Sequence, residues 1–233
     1  MRTAAILPVK RFAYAKQRLG ASVADSLRLE LAEAMVTDVL SALEQTAAIE
    51  QTIVVTCEQA IIDVAQQRGA IVVADHLENG QSAAVSLGIE QALSAGIERV
   101  LCIPGDCPAL DPLELESLLA RAEPPDATGA RQATVVIVPD RHGTGTNGLL
   151  LSPPQAIAPS FGPDSCERHR ALAREAGVSL RLEQPPSLLL DIDTGADLAA
   201  LRERLAGAQT RAERTRAVLA RPASVEALPA RSG

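Results

Sequence analysis

Short apolar runs alternate along this chain with longer segments whose apolar residues recur every three or four positions. The runs at 3–9, 51–56, 70–75, 99–103 and 133–138 are rich in Val, Ile, Leu and Ala, and polar or turn-forming residues set their limits. They predict buried strands, and shorter runs at 149–152, 179–182 and 188–194 predict three more. The segments 22–45, 59–68, 83–95, 112–122, 166–176 and 196–205 predict helices. In the first of them Leu27, Leu31, Ala34, Met35, Val39 and Leu43 share one face, with Ser22 as cap and Asp25 three residues on. Asp111-Pro112-Leu113-Glu114 opens another with a capping carboxylate, a proline at the first helical position and an acidic first turn. Strands alternating with helices of this length predict an α/β fold: one domain, 1–207, with a mostly parallel, doubly wound sheet and helices on both faces. Residues 208–233 turn Ala/Arg/Glu-rich and then Pro/Ser-rich, and are expected to be a dispensable, partly helical or disordered tail.

Composition narrows the class. A chain of 233 residues can bury a full core, and with one Tyr, two Phe and no Trp that core is aliphatic. So few aromatics leave no base-stacking platform, and a net charge of −7 gives no basic footprint for nucleic acid or an anionic membrane. The apolar run at 4–9 is too short for a signal peptide, and no run is long enough to span a bilayer. Cys57, Cys102, Cys107 and Cys166 form no CxxC pair and no zinc spacing, so they are expected to be reduced thiols of a cytoplasmic protein.

The chemistry gathers where strands end. Asp106 follows Pro104-Gly105 at the carboxyl end of the run 99–103, and in open α/β sheets that edge is where ligands bind. The first run leads straight into Lys10, Arg11, Lys16 and Arg18, a loop that holds both lysines of the chain; such a cluster suits phosphate oxygens. Asn79, Gly80, Gln81 and Ser82 offer polar groups at a helix N-terminus, an anion site or an ordinary capped turn. Gly143-Thr-Gly145-Thr-Asn-Gly148 matches G-x-G-x-x-G, but a strand rather than a helix is expected after it, which rejects a dinucleotide fold and leaves an anion-binding loop. Phe161-Gly162-Pro163-Asp164-Ser165 enters a helix as a second candidate anion site, with Ser165 as cap or ligand. Asp191 and Asp193, placed in a strand, would face the same way and suit a hard divalent cation; Asp193 could equally cap the next helix. The three histidines, His76, His142 and His169, are expected in loops or on an exposed helix, and no Ser/His/Asp or Cys/His arrangement is suggested.

Cations and a carboxylate-held metal together suit a nucleoside triphosphate, and without GxxxxGK[ST] the chain is not a P-loop protein, so nucleotidyl transfer fits best. An acceptor that is itself a phosphate would be an anionic nucleophile at neutral pH and would need no general base. At the level of motifs, Pro8-Val-Lys10 with Lys16-x-Arg18-Leu19, Pro104-Gly-Asp106-Cys-Pro108, Gly145-Thr146-Asn147, Phe161-Gly162-x-x-Ser165 and Asp191-Ile-Asp193-Thr194 resemble the guanylyltransferases of deazaflavin cofactor biosynthesis. This phosphoenolpyruvate / 2-phospho-L-lactate guanylyltransferase family matches in order over roughly residues 3–206. The resemblance implies a nucleotidyltransferase fold, nucleotide-diphospho-sugar transferase-like, with GTP as donor and a phosphorylated three-carbon acid as acceptor. It implies magnesium on Asp106, Asp191 and Asp193, the acceptor on Thr146, Gly162 and Ser165, and the triphosphate on Lys10 and Lys16, with Lys16 and Asp106 catalytic. Alternatives on the same fold are a transferase acting on 3-phospho-D-glycerate or on a molybdopterin or sugar phosphate, a glycosyltransferase using Asp191-Ile-Asp193, and a GTP-binding module without turnover. A homodimer and coupling to a deazaflavin transferase stay open.

Overall fold

The structure, a computed structural model, describes residues 1–12, 19, 24–122, 132–207 and 211–221. Chain order is β1 (Thr3–Val9), α1 (Asp25–Glu44), β2 (Gln51–Thr56), α2 (Gln59–Gln67), β3 (Ile71–Val73), α3 (Gln81–Ser94), β4 (Arg99–Cys102) and α4 (Pro112–Arg121). Then come β5 (Thr134–Pro139), β6 (Thr146–Ser152), α5 (Ser165–Glu175), β7 (Ser179–Leu182), α6 (Gly195–Ala206) and α7 (Glu213–Leu219). The seven strands form one sheet in the order β3-β2-β1-β4-β6-β5-β7. All neighbours are parallel except β6, which runs antiparallel to both β4 and β5. The chain leaves β1 toward β2 and β3 on one side and returns to β4 on the other. That reversal opens a crevice at the carboxyl ends of β1 and β4.

Strand alternation divides the core between the two faces. Ala5 and Leu7 of β1 point toward α1, α2 and α4, where they meet Val36, Val39, Ile61 and Leu115. Ala4 and Ile6 point the other way, toward Val85 and Ile89 of α3 and Ala173 of α5. Gly88 is what lets α3 lie close: a Cβ there would stand 2.5 Å from Ile6 Cγ2. A third apolar group joins Leu31 and Met35 of α1 to Leu198 and Leu201 of α6 and Val218 of α7. Within the stretch set apart as a tail, α7 is therefore packed, and the Asp38 carboxylate accepts the backbone N–H groups of Arg214 (3.0 Å) and Thr215 (2.8 Å). Among the described residues no helix is long and apolar enough to cross a membrane.

Three expectations are corrected. Residues 188–194 are not a strand: Pro186–Leu188 form a single 3-10 turn and the rest is loop. Pro185 and Pro186 have no N–H to give a ladder, and those that follow go elsewhere, Ser187 to the Glu114 carboxylate (2.7 Å) and Ile192 to the Asp106 carbonyl (3.0 Å). The apolar residues of this segment serve as plugs, Leu188 in one core group and Ile192 in another. The cap of α6 is Thr194, not Asp193, in a capping box with Asp197. Finally, α1 begins at Asp25 after Ala24; Ser22 lies outside the described residues.

Candidate active site

At the crevice between the ends of β1 and β4 lies a cavity of about 540 Å3. Its walls include Pro8 at the end of β1, Lys10 after it, Cys57 after β2, and Gly105 and Asp106 after β4. Gly80 and Gln81, at the start of α3, form another wall. Gly80 has φ +96 and caps α3 without any side-chain bond, so the first N–H groups of a 14-residue helix are left to whatever fills the cavity. The loop before α3 is tightened by Asp75, whose carboxylate accepts the Glu78 N–H at 3.0 Å. Glu78 in turn pairs with Arg11 at 2.6 Å, which ties the loop after β1 to the loop after β3.

Across the cavity stands an acidic centre. The bond from Ile192 N–H to the Asp106 carbonyl (3.0 Å) holds the Asp191–Asp193 loop against the loop after β4. Asp106 and Asp193 line the cavity; Asp191 stands beside it and accepts a bond from Asn147 Nδ2 at 3.2 Å. Burial pushes the Asp191 carboxyl above its ordinary range, and the Asp106 charge adds to this, against the Asn147 bond. Asp193 is placed through its backbone, whose N–H donates to the Asp197 carboxylate at 3.1 Å. Burial works against ionisation of Asp197, but the bonds from Thr194, the Asp193 N–H and the Arg141 charge outweigh it and hold the carboxyl low. Arg141 meets Asp197 at 2.5 Å and so fastens the β5–β6 loop to the start of α6.

On the other flank, the β5–β6 loop and the entry to α5 come together. Asp140 accepts the N–H groups of His142 (3.1 Å) and Thr144 (2.9 Å), and a Cβ on Gly145 would lie 2.7 Å from its carboxylate. Pairing then slips: Val138 opposes Gly148 while Pro139 opposes Thr146, leaving Asn147 as the extra residue of a β-bulge. The bulge sends the Asn147 side chain to the α4 face, where it also bonds the Leu188 carbonyl at 2.9 Å. It returns Thr146 to the α5 face, where Oγ1 lies 3.0 Å from His169 Nδ1. His169 Nε2 accepts the Ser160 N–H at 2.9 Å, and its ring meets Phe161 edge-on with centroids 5.1 Å apart. Arg168 clasps Ser160 with bonds of 2.9 Å to Oγ and to the carbonyl, and also bonds the Pro163 carbonyl. Gly162, at φ +113, accepts the Ser165 N–H at 3.1 Å, and Ser165 is buried as the first residue of α5.

The residues singled out in sequence thus fall into two adjacent groups. Lys10, Gly80, Gln81, Asp106 and Asp193 surround the cavity. Thr146, Gly162 and Ser165 assemble beside it, near Asp191. Arg11 is turned to Glu78, and the Ser82 hydroxyl accepts the Phe161 N–H at 2.8 Å, joining the two groups. Lys16 and Arg18 lie outside the described residues. His169 corrects an expectation: it is fully buried rather than on an exposed helix. Its neighbours Arg168 and Arg170 disguised it. Asp75, Glu78 and Cys57 on the cavity wall, and Asn147 behind Asp191, were missed. Asp75 closes a predicted strand at the same sheet edge as Asp106, a signal that could have found it.

A cation and an open helix N-terminus facing carboxylates across the strand-end crevice of an α/β sheet suit the phosphates of a ligand. Solved structures agree on the fold. A nucleotide-diphospho-sugar transferase from Desulfovibrio desulfuricans superposes with TM-score 0.71, at 16% identity and 94% coverage of both chains. A nucleotidyl transferase from Methanothermobacter thermautotrophicus gives TM-score 0.60, at 19% identity, covering 88% of this chain and 98% of that one. In sequence, the family model "Guanylyl transferase CofC like" matches residues 3–216. A phosphoenolpyruvate guanylyltransferase of Conexibacter woesei is 48% identical over 219 residues, 94% of this chain and 96% of that protein. One from Sphaerobacter thermophilus is 36% identical over 207 residues, 89% and 94% of the two. The chain belongs to the CofC-like guanylyl transferase family and is a nucleotidyltransferase.

Proposed function

We propose that this enzyme moves GMP from GTP onto the phosphate of phosphoenolpyruvate, or of the closely related 2-phospho-L-lactate, with release of pyrophosphate. The observation that carries this reading is the junction of the two groups. Phosphate-binding features line one side of the acidic centre, and a polar, anion-suited group flanks the other. The relatives named above are phosphoenolpyruvate guanylyltransferases, which favours that acid.

In this reading the α3 N-terminus and Lys10 receive the triphosphate, with Arg11, Gly80, Gln81, Ser82 and Arg18 in the same nucleotide-binding set. The Asp75 carboxylate is an acceptor that suits the N–H donors on the edge of guanine. Thr146, Gly162 and Ser165 hold the three-carbon acid, whose phosphate oxygen attacks the α-phosphorus in line as the bond to pyrophosphate breaks. The nucleophile is already an anion, so no general base is required. Lys16 is assigned the charge developing on the α-phosphoryl group.

Magnesium is the cofactor this chemistry implies. Among the described residues no three acidic, His or Cys side chains are gathered closely enough to hold an ion by themselves. Magnesium does not need three, because it binds through one or two carboxylates and completes its shell with water and substrate phosphates. The carboxyl of Asp191, raised by burial and also by the Asp106 charge beside it, marks a place that favours an added cation. Asp106, Asp191 and Asp193 would therefore hold it, and when bound it would neutralise phosphate charge.

The product, a mixed anhydride with GMP, is activated for transfer of the acid, which fits a cytoplasmic step in deazaflavin coenzyme biosynthesis coupled to a deazaflavin transferase. The test is pyrophosphate release from GTP and magnesium with phosphoenolpyruvate, 2-phospho-L-lactate and 3-phospho-D-glycerate supplied separately. Release with phosphoenolpyruvate and none without acceptor is expected. GTP binding without release for any acid would favour a regulatory module instead.

A further inference from the structure

His169 lies outside every role assigned so far, yet it is fully buried between the two elements of the acceptor group. The Ser160 backbone N–H can only donate, so its 2.9 Å bond requires a lone pair on His169 Nε2. A neutral ring with Nε2 as acceptor carries its proton on Nδ1, which faces Thr146 Oγ1 at 3.0 Å. Thr146 accepts that bond, and its own hydroxyl proton is turned away from the ring.

We infer that His169 is a positioning residue for the acceptor, its Nδ1–H tautomer fixing Thr146 as a hydrogen-bond donor toward an oxygen of the phosphorylated acid. The inference rests on the reading of Thr146, Gly162 and Ser165 as the acceptor site. Further observations support it. An imidazolium would set Nε2–H against the Ser160 N–H, so the pocket itself opposes the charged form. Burial, with the Arg168 charge, agrees, lowering His169 to about 4. The β-bulge at Asn147 is what brings Thr146 to the face where His169 stands; without it Thr146 would face α4. The same ring fixes Ser160, and through it the Phe161-Gly162 turn, so one side chain sets both halves of the acceptor site. A hydroxyl locked as donor selects an anionic oxygen and discriminates little among acids of the same charge.

The test separates positioning from simple stability. His169→Phe keeps the ring packing and removes both nitrogens. It should raise KM for phosphoenolpyruvate by about tenfold while leaving KM for GTP within about twofold. Thr146→Val should raise it too, and the double variant should be less than additive, because the two changes share the Thr146 bond while His169→Phe also frees the Ser160 N–H. His169→Asn, whose amide nitrogen overlays Nδ1, should recover most of the loss; His169→Gln, which overlays Nε2, should not. An unchanged acceptor KM in an active His169→Phe enzyme, or additive effects in the double variant, overturns the inference. Imidazole nitrogen NMR of the wild-type protein at pH 7 decides the tautomer even where a variant fails to fold: Nδ1–H is expected, and Nε2–H or imidazolium overturns it. A wild type that neither turns over nor binds phosphoenolpyruvate, with the Nδ1–H tautomer intact, would instead sink the functional reading and the ligand-facing half of the inference with it.

Discussion

The cavity side and the Thr146 side of the crevice, to which the proposed function assigns the acceptor, are built on opposite principles. Around the cavity, groups stand open to a ligand: the N-terminus of α3 has no side-chain cap, and burial together with the Asp106 charge raises Asp191. Around Thr146 they are already bonded to one another, through His169, Ser160, Arg168 and Asp140. In the proposed function, a site for a highly charged triphosphate gains from charge that ligand and cation neutralise on binding. In the same proposal, a site that must seat a small acid in one orientation gains from groups whose orientation is fixed before the ligand arrives. Substitutions on the first side should therefore cost activity without stability, and substitutions on the second should cost both.

Asp106→Asn is the strongest test of the first half. Turnover should fall by about a hundred- to a thousandfold, by analogy with other losses of transition-state charge stabilisation. The melting temperature should hold or rise slightly, because the change relieves Asp191 of a repelling neighbour. A large loss of stability would show that the acidic centre is a structural element and would break the contrast.

Acid is the corresponding test of the second half. His169 is held near 4, below its unfolded value of about 6.5, so the unfolded chain takes up a proton first as pH falls. Stability contributed by the neutral ring is fully present above about pH 6.5, is lost between there and about pH 4, and falls no further below. The span corresponds to roughly 3 kcal/mol. Denaturant melts at pH 7 and pH 4.5 should differ less in His169→Phe than in the wild type; equal pH dependence would remove His169 from the account. Asp191 pulls the other way, since its raised carboxyl is relieved by protonation.

Asn147 sharpens the comparison because it belongs to both sides. It is buried on the acceptor strand, yet it donates to Asp191 and to the Leu188 carbonyl. Asn147→Ala should cost about 1–2 kcal/mol of stability and, by loosening Asp191, about tenfold in turnover. Loss of stability alone would make it a strut for the Leu188 turn and no more.

The sheet and the cavity side were legible in sequence because they rest on strand periodicity and strand ends. The runs at 51–56 and 99–103, and Asp106 beyond the second, follow from alternation and turn residues. The acceptor side was legible in its motif residues and not in its physics. A bulge has no periodicity of its own, so the start of β6 at Thr146 was hidden by the polar Thr-Asn-Gly that precedes Leu149. His169 was hidden because two arginines beside it make α5 look solvated along its length. The Asp191–Asp193 pair was singled out for a reason that failed: the segment is a loop, and what directs the two residues is Asn147 and the α6 capping box rather than strand alternation.

Ser82 gives the smallest effect and the finest distinction. It stands in the first turn of the helix that walls the cavity, which is why sequence assigns it to the nucleotide, but its hydroxyl accepts the Phe161 N–H from the acceptor side. Ser82→Ala leaves that N–H without its partner, at a cost of about 1 kcal/mol. If the bond belongs to the acceptor group, KM for phosphoenolpyruvate should rise by about three- to fivefold while KM for GTP stays within about twofold. A rise confined to GTP would return Ser82 to the nucleotide side. Equal rises in both would mean that the poised and the prebonded halves move as one body, with this bond as the hinge pin between them.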